Sequence, residues 1–184
     1  MKILLPLILA LMGGSTVYAQ AIHTRVATLP NSKKYVVTYD RFTDTTRVSV
    51  KFNARRTKSS RANNSMIIAK AYLEFKGTEW APVDQYYLEF YAACAGACYE
   101  ENHKLIFLIG EERISMPEGT YIKDPRGNYP KSLTYETMTF AAGLETIKKI
   151  INGPQTEFRL GNYDGIFDAD DRADIANIVK LGEK

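Results

Sequence analysis

Period-two alternation dominates the middle of the chain. From Thr45 to Phe52, the residues Thr46, Val48, Val50 and Phe52 share one face, and Arg47, Ser49 and Lys51 share the other. That spacing predicts a half-buried strand. Residues 66–75 repeat it, with Ile67, Ala69, Ala71, Leu73 and Phe75 on one side and Ile68, Lys70, Tyr72 and Glu74 on the other. Residues 85–94 place Tyr86, Leu88, Phe90 and Ala92 inward and Tyr87, Glu89 and Tyr91 outward. Tyr35 to Tyr39 begins the first strand, and residues 40–44 form a turn or bulge before the second. Leu105 to Ile109 is apolar on both faces, as a central strand should be. Gly110-Glu111-Glu112 then reads as a tight hairpin turn into residues 113–116. Residues 117–131 hold Pro117, Pro125 and Pro130 and predict a long irregular loop. Strand character resumes over 132–140.

The last quarter of the chain changes period. Leu144, Ile147, Ile150 and Ile151 fall at helical spacing, and Asn152-Gly153-Pro154 is a stop signal. Gln155 to Leu160 is a further strand. Asp168 stands where an N-cap belongs, the stripe Ile175, Ile178 and Val179 follows, and Gly182 closes that helix. Strands first and helices last imply an α+β domain. It should be mainly antiparallel sheet, built by hairpin and meander, with two C-terminal helices packed on it.

The N-terminus adds a destination. Lys2 is a positive n-region, Ile3 to Met12 an apolar run, and Val17-Tyr18-Ala19 a small-x-small cleavage site. Residues 1–19 therefore predict a cleaved signal peptide, residues 20–34 a flexible lead-in, and residues 35–184 a single β-rich domain. The apolar run is shorter than the roughly 20 residues of a spanning helix, so no transmembrane segment is expected. The expected location is the bacterial periplasm or the cell exterior. In such a compartment Cys94 and Cys98 pair as a disulfide. The alternatives are free thiols or half a metal site, for which only His103 lies close by in sequence.

Composition narrows the function without naming it. A formal net charge of +3 in 184 residues does not imply a nucleic-acid-binding face. The 12 Tyr favour strands. Only two His are present. His23 lies in the lead-in, and His103 sits in a polar turn as a solvated side chain. Glu74 and Glu89 read either as carboxylates that a hairpin brings together or as outward solvated charges. No nucleophile with a positioned base stands out, so a hydrolytic enzyme is the least favoured class.

Three surface features remain. Tyr72, Tyr87 and Tyr91 share the outward face of two predicted strands, with Trp80 near in sequence. An aromatic strip of this kind stacks on sugar rings or anchors a protein; the alternative is that the helices cover it. Arg55, Arg56, Lys58 and Arg61 lie in a Ser/Thr/Asn-rich segment. That segment reads as a solvated loop, or as a basic patch for an anionic surface such as lipid headgroups. Asn162, Asp164, Asp168 and Asp171 fall at the ligand spacing of an EF-hand-type calcium loop, with Gly165 at its sharp turn. Asp164-Gly165 is equally a hairpin-turn pair.

Two resemblances attach to these residues. Residues 160–181 resemble one calcium repeat of a dockerin module, with Leu160 where that family carries Asp. This implies calcium as a possible cofactor, where the rest of the chain calls for none. Asp40, Phe42, Asp44 and Thr46, followed by a mid-chain hairpin and then helix, strand and helix, resemble the layout of exported bacterial α+β domains. That layout implies no activity. The leading expectation is a non-catalytic exported module that binds an envelope protein or belongs to an assembly. A glycan- or lipid-binding module of the envelope is the second.

Overall fold

The computed structural model describes residues 35–52, 54–57, 66–94, 97–99, 103–126 and 133–183. The predicted signal peptide, the lead-in with His23, and the cations Lys58 and Arg61 lie outside the described residues. Among the described residues, eleven strands and two helices run β1 (Tyr35–Asp40), β2 (Thr45–Phe52), β3 (Arg55–Arg56), β4 (Met66–Lys76), β5 (Gln85–Cys94), β6 (Leu105–Ile109), β7 (Glu112–Ser115), β8 (Thr120–Arg126), β9 (Leu133–Gly143), α1 (Leu144–Asn152), β10 (Thr156–Leu160), β11 (Tyr163–Phe167) and α2 (Ala169–Gly182). They form a six-stranded sheet, β1-β2-β4-β5-β9-β8, and a five-stranded sheet, β3-β11-β10-β6-β7. Every strand pair is antiparallel. The chain is an α+β protein of mostly antiparallel sheet, as the alternation predicts.

The alternation sets which faces meet. Val48, Val50, Leu73, Leu88, Phe90 and Phe140 are fully buried on the inner face of the larger sheet. Phe90 sits 5.2 Å from Phe158 of β10 and 6.3 Å from Phe167 of β11, ring centre to ring centre. Phe52 meets Phe167 edge-on at 5.2 Å, and Phe107 of β6 lies 5.7 Å from the same ring. One aromatic core therefore joins the two sheets. The helices cover another part of the same inner face. Ile175, Ile178 and Val179 of α2 are buried, and the Tyr86 hydroxyl donates to the Val179 carbonyl at 3.4 Å.

The helix ends follow their caps. The Asp168 carboxylate accepts the Asp170 and Asp171 N–H groups, and the Asp171 carboxylate accepts the Asp168 N–H, all at 3.0–3.1 Å. This reciprocal capping box satisfies otherwise orphaned donors at the start of α2.

Three expectations change. The irregular loop over 117–131 contains β8, paired with β9 from Thr120 opposite Thr139 to Arg126 opposite Leu133. Pro125 had argued against a strand, but β8 is an edge strand, the position in a sheet where Pro is tolerated. The basic loop is also partly strand, since Arg55 and Arg56 pair with Ile166 and Gly165. The hairpin turn near the C-terminus is Gly161-Asn162, not Asp164-Gly165. Leu160 pairs with Tyr163, leaving two turn residues, and Gly161 takes φ 57°. Gly165 is inside β11, where a Cβ would collide with the Phe158 and Tyr163 rings.

Candidate functional site

The outer face of the six-stranded sheet is the surface on which the outward residues converge. Helices, the second sheet and the aromatic core all lie on its other side. Register places the face in rows. Val36, Ser49, Tyr72, Tyr87 and Ala141 form one row across five strands. Lys51, Lys70, Glu89, Thr139 and Thr120 form the next, and Ile68, Tyr91, Thr137 and Ile122 the one after. Tyr135 follows, opposite Ala93 and Asp124. Val36 and Ile122 are 52% and 58% exposed, so aliphatic side chains stand in solvent at both ends of the sheet.

The tyrosines are stacked on one another. Tyr72 and Tyr87 lie 4.8 Å apart and within 12° of parallel. The Arg47 guanidinium covers the Tyr72 ring at 4.2 Å, leaving Tyr72 only 4% exposed. Burial therefore pushes the Tyr72 hydroxyl up to about 12, against the opposing pull of Arg47. Tyr91 and Tyr135 make a second stack at 5.7 Å and 25°. Each stack covers one face of each of its rings. Beside the second stack, Tyr91, Ile122, Asp124, Tyr135 and Thr137 line a recess of about 310 Å³.

Two ion pairs lie on this face. Arg47 binds Glu74 at 2.7 Å, and Lys70 binds Glu89. Glu74 and Glu89 thus each hold a cation and do not form a carboxylate pair. Cross-strand pairing of opposite charges stabilises the sheet and leaves the rows of Tyr and Ile between them.

The remaining predicted residues go elsewhere. Trp80 packs edge-on against Phe75 at 4.8 Å, and Phe75 belongs to the inner face, so Trp80 does not join the tyrosines. Cys94 and Cys98 are bonded, Sγ to Sγ 2.11 Å. Asn162 lies in the β10–β11 turn, Asp164 binds Arg159 at 2.5 Å, and Asp168 and Asp171 form the capping box. The stretch proposed as a calcium loop is therefore a turn, a strand and a helix start. Among the described residues no three His, Cys, Asp or Glu side chains converge for a metal. His103 is not simply solvated. It stacks on Tyr121 at 4.0 Å, with a buried Nε2 that makes no hydrogen bond among the described residues.

One polar group escaped the sequence pattern. Glu136 faces inward from β9 and is 0% exposed. Its Oε2 accepts the Cys98 N–H at 3.1 Å and the Tyr99 N–H at 3.0 Å, while Oε1 makes no hydrogen bond among the described residues. Burial first, and then the Glu136 charge, raise the Tyr121 hydroxyl above its ordinary value. The carboxylate holds the disulfide segment against β9. Alternation along β9 puts Glu136 in line with Met138 and Phe140, but nothing in the pattern shows what it binds.

No protein-family model matches this sequence, no curated protein matches it, and no solved structure matches its fold.

Proposed function

We propose that the chain is an exported, non-catalytic module that docks a protein through the outer face of its six-stranded sheet. The carrying observation is the pair of tyrosine stacks beside exposed Ile122 and the Tyr91–Tyr135 recess. Tyr is enriched at protein interfaces because it combines large apolar area with a polar tip at low entropic cost. Sugar recognition needs open ring faces, and here Tyr72 is covered by Arg47 on one side and Tyr87 on the other. Protein docking is therefore favoured over glycan stacking. The signal-like N-terminus and the Cys94–Cys98 bond support an oxidising compartment, periplasmic or extracellular.

Tyrosine footprinting tests this reading. The purified chain is added to the envelope fraction of its source cell and treated with a Tyr-directed reagent. Tyr91 and Tyr135 are expected to be modified in the free chain and protected in the envelope. Protection should vanish when the envelope is digested with protease beforehand. Equal modification in both settings would overturn the proposal. So would protection that survives protease but is lost on glycan removal.

A further inference from the structure

The Cys94–Cys98 bridge adds little constraint to a segment that is already held. Its cysteines are four positions apart, so it closes a far shorter loop than a bridge between distant elements. Non-covalent bonds fix both of its ends. Cys94 stands opposite Thr134 at the end of the β5–β9 ladder. The Cys98 and Tyr99 N–H groups donate to the buried Glu136. Tyr99 is buried as well, and its hydroxyl donates to the Phe90 carbonyl of β5 at 3.0 Å. None of these bonds passes through sulfur, and between them they hold two residues whose Cα atoms are 5.5 Å apart. The Cys98 sulfur lies 3.9 Å from the Thr134 carbonyl oxygen, so a thiol at that position has an acceptor in place. The two cysteines differ in access. Cys98 is 6% exposed, whereas Cys94 keeps part of its surface in solvent.

We propose that this bridge is a thiol–disulfide exchange site, attacked at Cys94, which passes between bridged and dithiol states while the domain stays folded. Exposed disulfides are the exchangeable ones, and access decides which sulfur is attacked. An incoming thiolate bonds to the Cys94 sulfur as the Cys94–Cys98 bond breaks. Cys98 leaves as a thiolate and takes up the proton that the attacking thiol gave to solvent. A second thiol then displaces the first from Cys94. Two thiols become one disulfide, and the bridge becomes two thiols. The reverse sequence starts from an external disulfide, and its closing step is intramolecular between sulfurs whose backbones are already in place. The co-reactant is a thiol, carried by a small molecule or by another exported protein. The site does not depend on the sheet-face reading. Cys94 follows Phe90 and Ala92 along the inward-facing positions of β5, and the tyrosine stacks take no part in the exchange.

The test treats the folded, oxidised wild-type chain with reduced glutathione as the probe thiol. Acid quenching, alkylation and mass spectrometry follow the bridge, while Trp80 fluorescence and circular dichroism follow the fold. The native bridge should be reduced within about threefold of its rate in urea, through an adduct on Cys94, with both fold signals unchanged. Oxidised glutathione should then restore it. A bridge that opens only with the structure would be reduced about a hundredfold more slowly than in urea. That result would overturn the proposal, as would loss of either fold signal on reduction. Single variants test the attacked sulfur. The Cys94 thiol of Cys98→Ser should react with a disulfide reagent about thirtyfold faster than the Cys98 thiol of Cys94→Ser. Equal rates would remove the assignment to Cys94. Cys98→Ser recovered from envelopes of the source cell then tells the two thiol sources apart. An adduct of low mass on Cys94 identifies a small thiol, and a mixed disulfide with another protein identifies a protein thiol. Cys94 recovered as a free thiol, or bonded only to a second copy of the chain, would sink the exchange reading.

Discussion

Asp171 shows how one side chain reconciles two demands. It completes the capping box of α2 by accepting the Asp168 N–H at 3.1 Å, and it is buried. Burial is the main reason its carboxyl is raised from 3.8 to about 6; nearby Asp168, Asp174 and Asp170 add to the rise, and the Asp168 N–H opposes it. Folding therefore favours the protonated form. This contribution is complete below about pH 3.8 and is lost as pH rises through about 6. Melting curves at pH 7 and pH 5 should show wild type gaining stability on acidification relative to Asp171→Asn. Parallel curves for the two proteins would contradict the assignment. Asp168 as N-cap was legible in the sequence because an acid before an apolar helical stripe has few other uses. The role of Asp171 was not, since its spacing fits a calcium ligand and a capping box equally well.

At the scale of elements, the disulfide segment is the most instructive. Cys94 ends β5, and Cys98 lies only four residues on. Glu136 of β9 then grips the Cys98 and Tyr99 N–H groups. Two devices, one covalent and one electrostatic, hold one short stretch of chain. Removing the side chain with Glu136→Ala leaves two buried donors unsatisfied, and the expected cost is about 3 kcal/mol in urea unfolding. Replacing both cysteines with Ala should cost about 2 kcal/mol, as expected for so short a loop. Because both constrain the same segment, the triple variant should lose clearly less than the sum. Strict additivity would show that the two act on separate parts of the structure. The strands themselves were readable where hydrophobic and polar residues alternate, as in β2, β4 and β5. β8 was hidden because its edge position tolerates Pro125. β11 was hidden because Asp164-Gly165 carries the chemistry of a turn while serving as a strand that must admit the Phe158 ring.

At the scale of the whole molecule, the sequence pattern separates inward from outward residues but does not show what each inward face meets. Phe90 was legible as inward; its contact with Phe158 and Phe167 across the sandwich was not, because no periodicity links β5 to β10 and β11. The same gap left open whether the helices cover Tyr72, Tyr87 and Tyr91. They pack on the opposite face, where Tyr86 meets α2. The shared core has a testable consequence for cooperativity. Trp80, the only Trp, lies against Phe75 of the six-stranded sheet and reports that sheet's unfolding by fluorescence. Phe158 belongs to the five-stranded sheet and touches Phe90, Phe107, Tyr163 and Phe167. If the sheets unfold together, Phe158→Ala should destabilise the protein by about 3–5 kcal/mol. The Trp80 signal should then register the full shift, in step with far-ultraviolet circular dichroism. A Trp80 midpoint that stays at the wild-type value while the dichroism transition moves or splits would mean that the sheets unfold separately. The aromatic contacts would then join two units without making them one.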